Sequence, residues 1–146
     1  MEKRFLQGSC HCGNIRISLD WPSSDAIPTR ACGCSFCRKH NAAWTSNPNG
    51  RFALKIADDS HVTKYRFGSN TADFHVCQRC GVIPIVTCVL DGTQYAVFNV
   101  NTLEVLDRSE LLETASNFEG EATDERLARR RRNWTPEAKS GNRAVC

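Results

Sequence analysis

Seven of the nine cysteines in this sequence of 146 residues lie in three short clusters, at spacings typical of metal ligands. The clusters are Cys10-His11-Cys12, Cys32-Gly33-Cys34-Ser35-Phe36-Cys37 and Cys77-Gln78-Arg79-Cys80. A C-x-x-C pair directs two thiolates at one ion from a tight turn, and a C-x-C pair can do the same from extended backbone. Zinc favours tetrahedral coordination and accepts thiolate ligands, so zinc is the metal that this pattern predicts.

The seven clustered ligands divide most simply into a site of four and a site of three. A structural zinc site takes four protein ligands, whereas a catalytic site usually takes three and keeps one position open. The local triplet of Cys32, Cys34 and Cys37 suits the open site. The remaining pairs, Cys10/Cys12 and Cys77/Cys80, must then meet across the fold. We therefore predict two zinc ions per chain, one structural and one labile.

Other interpretations of these thiols stay open at this point. An iron–sulfur cluster also uses four thiolates. A redox pair at Cys77/Cys80 would call for a βαβ context that the sequence does not offer, and free buried thiols would leave the clustering unexplained. Cys88 reads as a small core residue, and Cys146 has no assigned role. Core or surface positions are favoured for the four histidines, although each could complete a site: His11, His40, His61 and His75.

Length and composition place the chain among single-domain globular proteins. We predict one zinc-binding domain over residues 1–136 and a mobile tail over 137–146. The net charge of +3 is too mild to imply a nucleic-acid partner by itself. No apolar run approaches the ~20 residues of a membrane span, and the first residues show no apolar core of a signal peptide. We therefore expect a cytoplasmic protein in which thiols stay reduced.

Short runs of alternating apolar and polar residues predict a mainly β domain. Close spacing and intervening turn residues favour antiparallel pairing. Pro84 falls inside one predicted strand, which marks that strand as an edge or a bulge. The predicted strands cover residues 13–20, 51–56, 62–67, 72–76, 82–90 and 94–100.

Three segments have helical features. Residues 35–43 could form a short turn after the second cysteine cluster, and residues 109–112 another. A longer helix is predicted from Asp124 to about Asn133, with Thr123 as its N-cap. Acidic residues at its start and arginines at its end suit the helix dipole.

The three cysteine motifs and their flanks resemble the glutathione-dependent formaldehyde-activating enzyme family, also called centromere-protein-V-like. The resemblance covers roughly residues 5–105, and a weaker similarity is found in Asn117-Phe118-Glu119-Gly120. Gly33 and the Val-Ile-Pro run after Gly81 depart from the usual family residues, but neither change removes a ligand. The matching motifs are Gly8-Ser9-Cys10-His11-Cys12-Gly13, Cys32-Gly33-Cys34-Ser35-Phe36-Cys37-Arg38-Lys39 and Phe74-His75-Val76-Cys77-Gln78-Arg79-Cys80-Gly81.

The resemblance implies a β-tent fold of antiparallel sheets held by zinc. It implies a structural zinc on the quartet Cys10, Cys12, Cys77 and Cys80, and a catalytic zinc on the triplet. It also implies a reaction that joins formaldehyde and glutathione as S-hydroxymethylglutathione, which is formally a carbon–sulfur lyase reaction run backwards.

An open zinc site can bind a substrate thiol and lower its pKa, so that the thiolate adds to a small carbonyl electrophile. Three thiolates weaken the Lewis acidity of zinc. The preferred role of zinc is therefore to bind the substrate thiol and present it as a thiolate. Glutathione carries two carboxylates, and Arg38, Lys39 and Arg79 are candidate partners for them because they adjoin ligands. Solvated surface positions are an equal alternative for these three. Trp44 either lines the cleft or belongs to the core.

A non-catalytic zinc-stabilised binding module is the competing function. The run from Arg126 to Trp134 contains four consecutive arginines and could contact nucleic acid, with Trp134 stacked on a base. A solvated terminal helix explains the same run. The mild net charge makes a nucleic-acid partner the weaker expectation.

Overall fold

The computed structural model describes residues 3–22, 26–104 and 107–138. Two α-helices are present in these ranges, α1 (Ser35–His40) and α2 (Thr123–Asn133). The strands, in chain order, are β1 (Lys3–Ser9), β2 (Ile15–Pro22), β3 (Ile27–Cys32), β4 (Ala43–Thr45), β5 (Arg51–Ile56), β6 (Val62–Tyr65), β7 (Asp73–Cys77), β8 (Ile85–Leu90), β9 (Thr93–Asn99), β10 (Leu111–Ser116) and β11 (Thr135–Pro136).

A small antiparallel sheet forms first along the chain. Its order is β1-β2-β5, with β2 in the centre. Along β2 the apolar side chains of Ile15, Ile17 and Leu19 are buried, whereas the intervening Arg16 and Ser18 are exposed. This period of two directs one face of the sheet inward.

The second sheet is larger and has the order β10-β3-β4-β9-β8-β7-β6, with β11 also paired to β9. All its pairs are antiparallel except β10 with β3, which run parallel. Ile85 and Phe98 face the small sheet, and the rings of Phe98 and Phe52 meet edge to face at 5.6 Å. The next residues, Val86 and Val97, face the opposite side. The large sheet is therefore buried on both faces.

The second face of the large sheet packs against the two helices. Its core contains Cys34 and Cys37 near α1, together with Trp134 at the end of α2. Trp44 on β4 belongs to the same core and is 5% exposed. This layer holds the second cysteine cluster, so the sheet supplies the floor of that site.

The structure confirms the mainly β class, with one α-helix near the C-terminus. Five short strands were missing from the sequence prediction: β1, β3, β4, β10 and β11. Pro84 lies just before β8, and its carbonyl accepts from the Asn99 amide at 2.9 Å. The strand that follows is central, because β7 and β9 flank it, so the edge assignment was wrong.

The helix boundaries also need correction. Helix α1 ends at His40, because Asn41 adopts a left-handed conformation (φ 51°) and Ala43 begins β4. Ala122, without a side-chain capping bond, is the N-cap of α2, so Thr123 is not the cap. Residues 108–110 form one 3₁₀ turn, and from Leu111 the chain pairs with β3 as a strand.

The chain after α2 is attached to the fold as far as the structure describes it. The amides of Glu137 and Ala138 donate to the carbonyls of Gln94 and Phe52, each at 2.8 Å. The rest of the predicted tail, residues 139–146, lies outside the described residues. In the described ranges no helix is long and apolar enough to cross a membrane.

Truncating Phe52 tests the contact between the two sheets. Phe52 is 1% exposed and packs on Phe98, so Phe52→Ala should lower the free energy of unfolding by about 3–5 kcal/mol. The matched control is Phe5→Ala, because Phe5 is 75% exposed and should change stability by less than about 0.5 kcal/mol. Urea unfolding measures both. Equal losses in the two variants would contradict this packing.

Candidate functional site

Four cysteines converge where the small and large sheets meet. Cys10 follows β1, Cys77 ends β7, and Cys12 and Cys80 lie in the turns that come next. All four sulfurs lie within 4.8 Å of one another. The Cys10–Cys12 and Cys12–Cys77 sulfur pairs are 3.7 and 3.5 Å apart. Two sulfurs bound at ~2.3 Å to one tetrahedral ion would be about 3.8 Å apart, so this quartet fits a single metal ion.

Backbone groups hold the quartet in shape. The amide of Ile15 donates to the Cys10 sulfur at 3.3 Å, and Gly81 donates to the Cys77 carbonyl at 2.8 Å. Gly81 has a φ of 80°, which lets the chain reverse immediately after the ligand pair. Burial raises the pKa of Cys10 to about 11. Burial has the same effect on Cys80, but amide hydrogen bonds outweigh it and lower the pKa of that thiol to about 6.

The second cluster is built around the start of α1. Cys32 ends β3, Cys34 is the N-cap of α1, and Cys37 lies one turn into the helix. Their three sulfurs lie within 4.8 Å of one another. The amide of Cys37 donates to the Cys34 sulfur at 3.4 Å, and the Trp44 indole donates to the Cys37 sulfur at 3.3 Å. This triplet also fits a metal ion, with fewer protein ligands than the quartet.

The triplet favours a thiolate even before a metal is considered. A hydrogen bond from Cys37 lowers the pKa of Cys32 to about 5. The same hydrogen bond, together with burial, raises the pKa of Cys37. Of these two thiols, Cys32 is therefore the one that ionises first. Metal binding needs deprotonated thiols, and this arrangement supplies the first of them.

A pocket of about 250 Å³ opens directly on the triplet. All three cysteines of the triplet line it, whereas none of the quartet does. Trp44, Phe67, Phe74 and Trp134 give it aromatic walls. Its charged lining consists of Arg30, Arg126, Arg129, Arg130 and Glu119.

Two of the lining arginines have partners in the loop before α2. Arg129 donates to both carboxylate oxygens of Glu121 at 2.9–3.2 Å and lies 3.6 Å above the Phe118 ring. This hydrogen bonding lowers the pKa of Glu121. Arg126 donates to the Phe118 carbonyl at 2.7 Å. These contacts hold the loop against α2 and leave the two guanidinium groups partly neutralised.

The other two arginines have neutral partners. Arg130 is 6% exposed and donates to the Thr71 hydroxyl at 2.7 Å and to the Cys88 sulfur at 3.5 Å. Its guanidinium also lies 4.8 Å from the Trp134 ring. Burial lowers the pKa of Arg130, although arginine stays charged at neutral pH. Arg30 donates to the Ser46 hydroxyl at 3.4 Å.

The structure assembles all seven predicted ligands into the two predicted groups. It places the predicted substrate cations elsewhere: Arg38, Lys39 and Arg79 are exposed, and none lines the pocket. Arg79 instead pairs with Asp58 at 3.3 Å. Both interpretations of Trp44 hold, because it is buried and also lines the pocket.

Cys88, His75 and His61 lie away from the pocket lining, whereas Trp134 belongs to it. Cys88 is a buried residue of β8, as predicted. His75 is buried and bonds the Thr87 hydroxyl at 2.8 Å, and His61 pairs with Asp58. The proposed base stacking by Trp134 is wrong, because its side chain is 6% exposed in the core.

The pocket arginines were missed in the sequence. Arg126, Arg129 and Arg130 are spaced i, i+3 and i+4, which places them on one helix face. That spacing was the available clue that they share one surface. Arg30 carries no comparable clue, because it enters the pocket only through the pairing of β3 with β4.

Comparison with known proteins agrees with this geometry. Residues 5–121 match the family model described as glutathione-dependent formaldehyde-activating enzyme. The chain belongs to this family. A curated Halomonas elongata protein that carries the name of the same family is 27% identical to this chain over 52% of each protein. The chain thus spans about half the length of that relative.

A solved structure gives a further comparison. A crystal structure of a Rhodobacter sphaeroides protein matches with a TM-score of 0.55 and 26% identity. The match covers 74% of this chain and 99% of that chain. The family match ends at Glu121, just before α2, so the helix that carries three pocket arginines lies beyond the matched region.

Replacing one ligand in each cluster should separate their roles. Cys80→Ser should lower the melting temperature sharply, because metal binding in small zinc domains contributes on the order of 10 kcal/mol to folding. Cys34→Ser should lose one metal ion and keep most of the thermal stability. Calorimetry and elemental analysis of the same samples measure both effects. Equally unstable variants would contradict the division into structural and open clusters.

Proposed function

We propose that the chain is a zinc-dependent carbon–sulfur lyase of the glutathione-dependent formaldehyde-activating type, similar to an S-hydroxymethylglutathione synthase. It adds a small thiol such as glutathione to formaldehyde or a related carbonyl electrophile. The observation that carries the proposal is the three-sulfur cluster that opens on an aromatic-walled pocket. Membership of the family supports the reaction type.

Zinc is the proposed metal at both clusters, with one ion on each. Thiolate-only ligand sets suit zinc or iron–sulfur clusters. Sulfur pairs at 3.5 and 3.7 Å, with all four sulfurs within 4.8 Å, support one ion shared by all four thiolates, because the thiolates of an iron–sulfur cluster are divided among two or more iron atoms. The quartet would hold the structural ion, and the triplet the labile one.

The reaction adds the S–H group of the thiol across the carbonyl double bond. The sulfur lone pair forms the new carbon–sulfur bond, and the carbonyl π electrons become the lone pair of an alkoxide. That oxygen takes a proton while the thiol loses one, so no oxidant or reductant is needed. Zinc bound by the triplet would supply a lowered thiol pKa at its open position.

The residues of this chain would position the reacting thiol and limit water around it. Trp44 orients Cys37 through its indole N–H, and the Cys37 sulfur lies within 4.8 Å of the Cys32 sulfur. Trp134, Phe67 and Phe74 wall the pocket with apolar surface. At about 250 Å³ the pocket is below the ~300–1,000 Å³ usual for small-molecule sites. It would therefore enclose the thiol end of glutathione and leave the rest of the tripeptide outside.

A nucleic-acid-binding role has less support from the placement of α2. Trp134 and Arg130 are buried, and Arg129 is bound to Glu121. Arg131 pairs with Asp91 at 2.9 Å at the surface. The pocket-facing arginines favour a small ligand instead. The expected compartment is the cytoplasm, where free thiols persist.

Metal content gives a direct test of the ligand assignment. Protein produced with added zinc should contain close to two zinc ions per chain, because the two clusters are separate. Elemental analysis against a measured protein concentration decides this. A folded protein that holds no metal would overturn the zinc assignment, and iron with acid-labile sulfide would favour the cluster alternative.

Cobalt substitution tests the open position. Cobalt–thiolate absorption reports the coordination sphere, so glutathione should change the spectrum of the cobalt-loaded protein. Adding formaldehyde should change it again as the bound thiol reacts. Cys34→Ser should abolish both responses and keep the absorption of the quartet. No response to glutathione or cysteine in the wild type would argue against the proposed activity.

A further inference from the structure

The buried guanidinium of Arg130 lacks an anionic oxygen partner. No carboxylate in the described ranges lies within ion-pair distance of it. Its hydrogen bonds go to the hydroxyl of Thr71 and the sulfur of Cys88, and its Nε has no partner within the described residues. A buried charge without a counter-ion is costly. An anion that enters the pocket would remove this cost.

Arg30 is a second lining cation with no carboxylate within ion-pair distance in the described ranges, and it is half-buried. It lies opposite Trp44 across the β3–β4 pair, and directly opposed residues of two strands share one face of a sheet. Trp44 contacts Cys37, so Arg30 lies on the same side as the triplet. Among the described residues, its hydrogen-bond partner is the Ser46 hydroxyl.

The charges of the pocket do not balance without a ligand. Four guanidinium groups line it, against the carboxylate of Glu119 and that of Glu121 beside Arg129. Three thiolates on a divalent metal ion would contribute one net negative charge. One positive charge therefore remains. Glu121 lies at 2.9 Å from Arg129 and 3.9 Å from Arg126, whereas no described carboxylate lies within ion-pair distance of Arg30 or Arg130.

We propose that Arg130 and Arg30 form a carboxylate subsite next to the cysteine triplet. The pocket then selects thiols that carry a carboxylate a few bonds from the sulfur. This inference rests on the proposed function only for the identity of the triplet as the thiol site. Arg30 lies within the region that the family model matches, whereas Arg130 lies on α2, beyond the end of that match.

The shape of the pocket limits which acid fits. A guanidinium group binds a carboxylate through paired N–H donors, so its ligand must approach in the plane of the fork. The triplet and both arginines line one space of about 250 Å³. A short mercapto acid can therefore reach the triplet and the arginines together, and a neutral thiol of the same length uses the triplet alone.

Binding of matched thiols to the zinc-loaded protein tests this subsite. The probes are 3-mercaptopropionate, its methyl ester and 3-mercapto-1-propanol, which share the thiol and differ in charge. Trp44 and Trp134 line the pocket, so tryptophan fluorescence should report binding, and calorimetry should give the affinities. The acid should bind about 10- to 100-fold more tightly than either neutral thiol, as expected for charge-assisted hydrogen bonds. Equal affinities would overturn the subsite.

Two variants and one control assign the preference to the arginines. Arg130→Met and Arg30→Met remove the charge and keep much of the side-chain volume, so each should reduce the preference for the acid by about tenfold. Arg132→Met on the exposed face of α2 should leave it unchanged. If both pocket variants kept the preference for the acid, that preference would come from chelation of zinc by the acid, and the proposal would be overturned. Two independent pocket positions are tested because loss of Arg130 could disturb the packing of Trp134.

The experiments distinguish a failure of the proposed subsite from a failure of the proposed lyase activity. A charge preference that depends on Arg130 would support the subsite even when no bound thiol reacts with formaldehyde, and would then count against the proposed reaction alone. Reaction of glutathione without any charge preference among the short thiols would count against the subsite alone.

Discussion

The meeting of two distant cysteine pairs is the constraint on which the rest of the structure depends. Cys10 and Cys12 lie at the end of the first strand of the small sheet, and Cys77 and Cys80 lie at the end of a strand of the large sheet. Their sulfurs converge to distances that one ion can bridge. This junction sets the position of the small sheet over one face of the large sheet, and it leaves the other face for the helices.

The opposite face of the large sheet carries the cysteine triplet and the pocket. Strands β8 and β9 contribute Ile85 and Phe98 to the inter-sheet core and Val86 and Val97 to the pocket. The same two strands thus link the structural junction to the site through their alternating side chains. The open triplet lies at the turn where β3 passes into α1, because Cys34 caps that helix while Cys32 still belongs to the strand.

Helix α2 adds positive charge to the lining of this pocket. The matched family region supplies the cysteines and the aromatic residues Phe67 and Phe74, and α2 adds Trp134 and three arginines. Glu121 and Phe118 fasten this helix to the loop before it through Arg129. The cysteine triplet and Arg30 thus come from the region that matches the family, and Arg130 comes from the segment after it.

The cysteine groups of the site could be predicted from the sequence alone. The cysteine spacings identified both groups of ligands, because chelation by neighbouring thiols is a local property of C-x-C and C-x-x-C segments. The alternation in β2 and the short apolar runs in β8 and β9 indicated the β class for an equally local reason. Short strands such as β4 and β10 carry too little pattern to be predicted, since their conformation comes from pairing with β3.

Only the tertiary structure decided which cations face the pocket. Arg38, Lys39 and Arg79 adjoin ligands in the sequence but project to the surface, because a turn that directs thiolates inward directs their neighbours outward. Arg30 and Arg130 lie 100 positions apart in the numbering and share one pocket. Their proximity depends on a strand pairing and a helix docking that no local pattern encodes. The cysteine spacing therefore predicted which thiols could share a metal ion, and long-range packing placed the charged groups around the pocket.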